Sequence, residues 1–180
     1  MNRVNSKLLL ALTMAIAVLL SACSTPASHT DMVPQEMSIG KQHPKSVKVL
    51  TSGGSETGAM DSSNIADADL KMAIEDAIVK SKLFKTVVKG TGGDYELAVR
   101  IVSLNKPTFG LTFTVELETA WTLTRKSDNA VIMRKAVQSS GTATVNDAFV
   151  AITRLRLAVE KSARENISKG LKSIGELNLR

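Results

Sequence analysis

The sequence predicts an α+β fold: a two-layer sandwich, with a mainly antiparallel sheet carrying an N-terminal-half helix and a long C-terminal helix on one face. Three observations point there. Residues 113–124 alternate apolar and polar with period two, as a strand with one buried face does. Ile152, Leu155, Val159, Ala163, Ile167, Leu171 and Ile174 recur at spacings of three and four, as an amphipathic helix requires. The order of elements is strand, helix, about four strands and a long helix. Runs of strands with short loops favour antiparallel pairing, with the helices gathered on one side.

Each element has its own signal. Val47, Val49 and Leu50 suggest a first strand, ended by Thr51-Ser52-Gly53-Gly54. Ser63 or Asn64 can cap the next helix, with Asp67 and Asp69 at its positive end. Leu70, Ala73, Ile74, Ala77 and Ile78 give that helix a clean apolar stripe. Leu83 to Val88 reads as a short strand, and Gly90 to Asp94 as a turn. Tyr95, Leu97, Val99 and Ile101 share one strand face, while Ala98, Val102 and Leu104 make the other partly apolar; such a strand is usually central. Pro107 and Gly110 mark a loop before the 113–124 strand, and Ser127-Asp128-Asn129 has hairpin-turn chemistry. Ala130 to Val145 is the returning strand, which Gly141 is expected to bulge. The last helix starts near Asp147, capped by Asn146, and Gly170 is expected to weaken its end.

The N-terminal region is of another kind. Arg3 and Lys7 precede Leu8 to Leu20, a thirteen-residue run broken only by Thr13, and Leu20-Ser21-Ala22 closes it with small residues. This describes a secretory signal peptide over residues 1–22, with an apolar run too short for the roughly 20 residues that span a bilayer. Cys23, the sole cysteine, follows at once and resembles the lipobox of bacterial lipoproteins, in which the thiol receives a diacylglycerol. That resemblance implies lipid attachment at Cys23, and Ser24 after it implies the outer membrane, facing the periplasm. Ser24 to Pro44 holds three of the four prolines among polar residues without an apolar period, and reads as a flexible tether. Extended, its residues would reach about 70 Å. The domain organisation expected is thus signal peptide 1–22, acylated cysteine and tether 23–45, and one globular domain 46–180.

Composition bounds the rest. Loss of residues 1–22 leaves 158 residues, one domain's worth, with 21 basic against 17 acidic residues and a charge of +4. That mild excess and the exported address exclude nucleic acid as a partner and favour the membrane, through the lipid anchor, and an envelope protein. The sole cysteine is consumed by acylation, so the fold stands on its core without disulfides.

The tether, the strand–helix start, the antiparallel strands and the long last helix together resemble small proteobacterial outer-membrane lipoproteins of the YajG type. The residues closest to a motif are Thr51 to Gly54, Leu104 to Gly110, and the run from Gly141 through Asp147-Ala148-Phe149 to Ala158. The resemblance implies an architecture and an address, and no reaction. A weaker similarity of layout links the chain to auxiliary lipoproteins of envelope lipid transporters and to lipoproteins that activate cell-wall synthases.

No catalytic signature emerges. Both histidines, His29 and His43, fall in the tether, so no base stands ready for a Ser or Cys nucleophile. His and Cys are too few to cluster for a metal, and no cofactor is implied. Glu116 and Glu118 share a strand face about 7 Å apart, a spacing that acid–base carboxylates can have, but they sit on the wet face. Gly53 to Gly58 lacks the lysine of a phosphate loop and reads as a loop. Trp121 falls among core positions. The last helix region carries a net charge of +3, which makes Arg154, Arg156, Arg164 and Lys172 the candidate docking face. The reading favoured is a non-catalytic accessory envelope lipoprotein; the alternatives are a lipid-handling module with an apolar cavity, and an enzyme built on Glu116 and Glu118.

Overall fold

A computed structural model describes residues 25–58 and 61–179. The signal segment and Cys23 lie outside the described residues. In chain order the elements are α1 (His29–Met32), β1 (His43–Ser52), α2 (Asp67–Ser81), β2 (Phe84–Val87), β3 (Tyr95–Asn105), β4 (Phe113–Arg125), β5 (Val131–Ala143) and α3 (Ala151–Gly175).

The strands form one sheet in the order β2-β1-β3-β4-β5. β3, β4 and β5 are antiparallel neighbours, as their short loops require. β1 is parallel to both β2 and β3, so the sheet is mixed. The parallel part follows from α2, whose crossover returns the chain to start β2 in the direction of β1. β2 takes the first half of β1 and β3 the second, and the two meet at Val47, which is level with both Val87 and Tyr95.

The helices cover one face, α2 over β1 and β2 and α3 over β4 and β5. Period two in β4 does what it promised: Phe113, Val115, Leu117, Trp121 and Leu123 are buried, and Glu116 faces water. Leu155, Val159, Ala163, Ile167, Leu171 and Ile174 complete the core from α3. Two glycines let this helix come close. A methyl group on Gly141 would stand 2.2 Å from the Ala158 carbonyl oxygen, and one on Gly170 2.4 Å from the Trp121 ring. Gly141 therefore makes room for a helix and does not bulge its strand; the register shifts of the sheet fall between His43 and Ser46, between Ile101 and Ser103, and between Leu123 and Thr124. Gly170 lies inside α3 and accommodates an indole there.

The expected caps are used elsewhere. α2 begins after Ala66 and α3 after Val150, both without a side-chain cap. Ser63 donates its hydroxyl to the Thr25 carbonyl at 2.8 Å, and Asn64 accepts Lys106. Asp147 folds back onto the Thr144 amide and hydroxyl at 2.8 and 3.0 Å, which closes a turn before the helix.

The largest difference from expectation is the tether. Residues 25–44 run as a strap along the helices and into β1, so the packed unit does not begin near Ser46. Ala27 and Met32 are buried, α1 touches both α2 and α3, and His43 is the first residue of β1. Polar contacts fasten it along its length. The Ser28 amide donates to Glu160 Oε1 at 3.0 Å, the Arg164 guanidinium donates to the Asp31 carbonyl, and Lys41 Nζ donates to Asn178 Oδ1 at 2.6 Å. His43 Nε2 lies 3.1 Å from the Ile174 carbonyl oxygen, with its ring 5.5 Å from that of Phe84. A few apolar side chains, sparse in a polar segment, find a ready surface between the two helices and offset the entropy of ordering it.

Candidate functional site

The sequence-named residues do not assemble a reaction centre. Glu116 is exposed, and Glu118, half-buried on the same outer sheet face, accepts a long 3.5 Å contact from Gln138. His43 is sealed in β1, and His29 is in α1. Trp121 belongs to an internal polar network: its indole N–H donates to Thr119 Oγ1 at 2.7 Å, and Thr119 donates to Asn166 Oδ1 at 2.6 Å. Asn166 in turn donates to the Val137 carbonyl at 2.9 Å and to Ser139 Oγ at 3.1 Å. Every member has a partner, as a buried network must. Among the described residues no group of three or more His, Cys, Asp or Glu could hold a metal ion, and no helix is long and apolar enough to cross a membrane.

The basic docking face is not one surface either. Lys172 is exposed, but Arg156 lies 3.9 Å from the buried carboxylate of Glu160, and Arg164 is spent on the strap. Burial pushes the Glu160 carboxyl above its ordinary range, against the Ser28 amide and the nearby Arg156. Arg154 is only 3% exposed. Its guanidinium donates to the carbonyls of Ala148 and Phe149 at 2.9 and 3.1 Å and to that of Gly110 at 3.0 Å, and stacks 4.9 Å from the Phe113 ring centroid. Arg154 therefore fastens two loops together, and its one unpartnered nitrogen, Nε, is buried out of a partner's reach.

Those loops make the most unusual surface among the described residues. Because β1 runs parallel to β3 and β4 antiparallel to it, the segments after β1, between β3 and β4, and after β5 all lie at one end. There Phe109 is 86% exposed, Leu111 76%, Phe149 91% and Val150 58%. Four large apolar side chains held in water on two joined loops are far from the usual scatter of single exposed residues. The third segment, after β1, receives the N-terminal chain: Ala27 donates its amide to the Asn64 carbonyl at 3.3 Å, and Ser63 holds Thr25. Lys106, from the same loop as Phe109, donates to the Ser63 carbonyl at 3.1 Å and to Asn64 Oδ1 at 2.5 Å. Burial lowers the pKa of its ammonium, and the charge of Asp61 opposes that shift. In the sequence Phe109 and Phe149 stand out only as parts of the runs Leu104 to Gly110 and Gly141 to Ala158. Two aromatic residues in Gly- and Asn-bearing loops, in a chain with so few aromatics, were the available signal.

No family model matches this chain, and no curated protein matches it in sequence. Solved structures do match in fold. A Xanthomonas campestris protein of the DUF330 family overlaps at a TM-score of 0.59 with 12% identity, over 78% of this chain and 89% of that one. A dodecamer-forming PelC of Paraburkholderia phytofirmans gives a TM-score of 0.52 with 12% identity, over 78% and 95%. A candidate lipoprotein of Caulobacter crescentus gives 0.49 with 14% identity, over 72% and 87%. At these identities the likeness is one of fold.

Proposed function

We propose that this chain is a non-catalytic accessory lipoprotein of the outer membrane, of the YajG type, held facing the periplasm by acyl groups on Cys23, and that it binds or positions another envelope component. The observation that carries the reading is the leader ending in Leu20-Ser21-Ala22-Cys23, a short apolar run with the sole cysteine of the chain behind it. The arrangement of the domain supports it: the buried Trp121–Thr119–Asn166 network is satisfied from within, and what the surface offers is shape and apolar loops. The lipid-handling alternative needs an apolar cavity, whereas the space between sheet and helices is filled by Leu117, Trp121, Leu123, Ile167 and Leu171, all close to fully buried.

Intact mass of the protein extracted in detergent tests the anchor. The expected mass lacks residues 1–22 and carries acyl additions on Cys23; a mature chain with a free thiol there refutes it. Complementation of a deletion strain tests the mode of action. Glu116→Gln with Glu118→Gln keeps shape and removes proton transfer, so it is expected to act as the parent does at matched abundance. Loss of function in that variant would bring the enzyme reading to the front.

A further inference from the structure

We infer that the loop end of the domain is a membrane-contact surface, with Phe109, Leu111, Phe149 and Val150 seated in the interfacial region of the same leaflet that holds the acyl chains of Cys23. The inference rests on the lipid-anchor reading and deepens it by naming what covers the apolar loops. Three features carry it, and they are independent of one another.

The first is where the chain enters the fold. One residue, Ser24, separates Cys23 from Thr25, so their Cα atoms are no more than about 7–8 Å apart. Thr25 is fixed by Ser63, and Ser63 and Asn64 are fixed by Lys106. The acyl-bearing residue is thus leashed to the very end of the domain from which the apolar loops project. With residues 25–44 packed as a strap, no long tether remains to carry that end away from the bilayer.

The second is chemistry. Phe and aliphatic side chains that sit in water without a partner gain most where they can enter the boundary between headgroups and chains, a depth of about 5–10 Å. The nearby formal charges are mixed, with Glu56, Asp61 and Asp147 beside Lys106, Lys161 and Arg154; Lys161 is paired with Asp147 at 2.7 Å, and Arg154 is buried against the loop carbonyls. Attraction to anionic headgroups is therefore not what the surface is built for; apolar insertion is. The third is rigidity. Arg154 ties the two loops through three carbonyls, so the side chains are presented together and little ordering entropy is lost on contact.

The test uses the acylated full-length protein reconstituted in vesicles of zwitterionic phospholipid. Because Cys23 is blocked by its acyl group, single cysteines can carry an environment-sensitive fluorophore at Phe109→Cys or Phe149→Cys, with Ser127→Cys in the far β4–β5 turn as control. The expected result is a blue-shifted emission at both loop positions, quenched at least about twofold more than position 127 by a lipid nitroxide near the headgroups and unchanged by added salt. Water-like emission at both loop positions in vesicle-bound, acylated protein overturns the inference and leaves the anchor standing. A blue shift that lipid nitroxides do not quench, and that fades on dilution of the protein in the vesicles, assigns the surface to a second copy and also overturns it. A mass without acyl groups defeats the anchor reading and this inference with it.

Discussion

At the scale of single residues, the decisive positions are those where one atom more or less changes a contact. Gly170 is such a position. Alanine would be the better helix former by about 1 kcal/mol, but its methyl would meet the Trp121 ring at 2.4 Å. The clash wins: Gly170→Ala is expected to lower stability by about 1–3 kcal/mol in denaturant titration, with Trp121 fluorescence changed in the folded state. Glu160 shows the opposite kind of tension. Its carboxyl is raised above the ordinary value of 4.5, so the folded chain holds a proton longer than the unfolded one. Stability then falls as pH rises through the window from 4.5 to the raised value, and the penalty persists above it. Glu160→Gln is expected to flatten that fall in melts across the window while Gln still accepts the Ser28 amide; an unchanged pH profile would show that the burial has no thermodynamic weight. Asp147 has the reverse sign. Lys161 and the Thr144 amide hold its pKa down to about 2, so its contribution is present above 3.8 and lost as pH falls from there to about 2. Asp147 was named in the sequence only as a helix start and part of a motif, and Glu160 not at all, because a charged residue on an amphipathic helix gives no sign of what will close over it.

At the scale of elements, periodicity carried the reading and local chemistry misled it. The alternation of β4 and the stripe of α3 survive contact with the structure because both report burial, and burial is what the fold enforces. Asn146 and Ser63 looked like caps because side chains of their kind bond backbone groups; the Ser63 hydroxyl does so toward the distant Thr25, and in the turn before α3 it is Asp147 that takes a backbone amide, while Asn146 offers its own amide to Thr144 Oγ1. Arg154 was read as a surface charge because its position on α3 is polar by type. Its buried guanidinium is an assembly device for two loops, which a lysine cannot copy because it lacks the planar fork. Arg154→Lys is expected to speed hydrogen exchange in 106–112 and 144–150 together, and to leave β1 and α2 unchanged. Exchange increased in only one of the loops would mean that the two are not coupled through this side chain.

At the scale of the whole molecule, the sheet and its two main helices were legible, and the strap was not. Composition said that residues 24–44 could not bury enough surface to fold, and by themselves they cannot. What no local rule contains is the groove between α2 and α3 that was waiting for Ala27 and Met32. The apolar loop end escaped notice for a similar reason, since three loops far apart in sequence meet there only once the strands have paired. The two faces of the sheet are expected to separate cleanly under mutation. Leu117→Ala should cost about 2–5 kcal/mol in equilibrium unfolding and Thr114→Ala within about 0.5 kcal/mol; similar losses from both would mean that the outer face is covered by something. The strap has one more consequence, and it concerns time. Ser28 waits for a carboxylate 132 residues further on, and Lys41 for an amide 137 further on. A ribosome makes the N-terminal segment first and its partners last, so the segment next to Cys23 stays undocked until α3 exists. Its early life is that of a loose thread, open to whatever processes the leader, and its later life is that of a latch closed by the end of the chain.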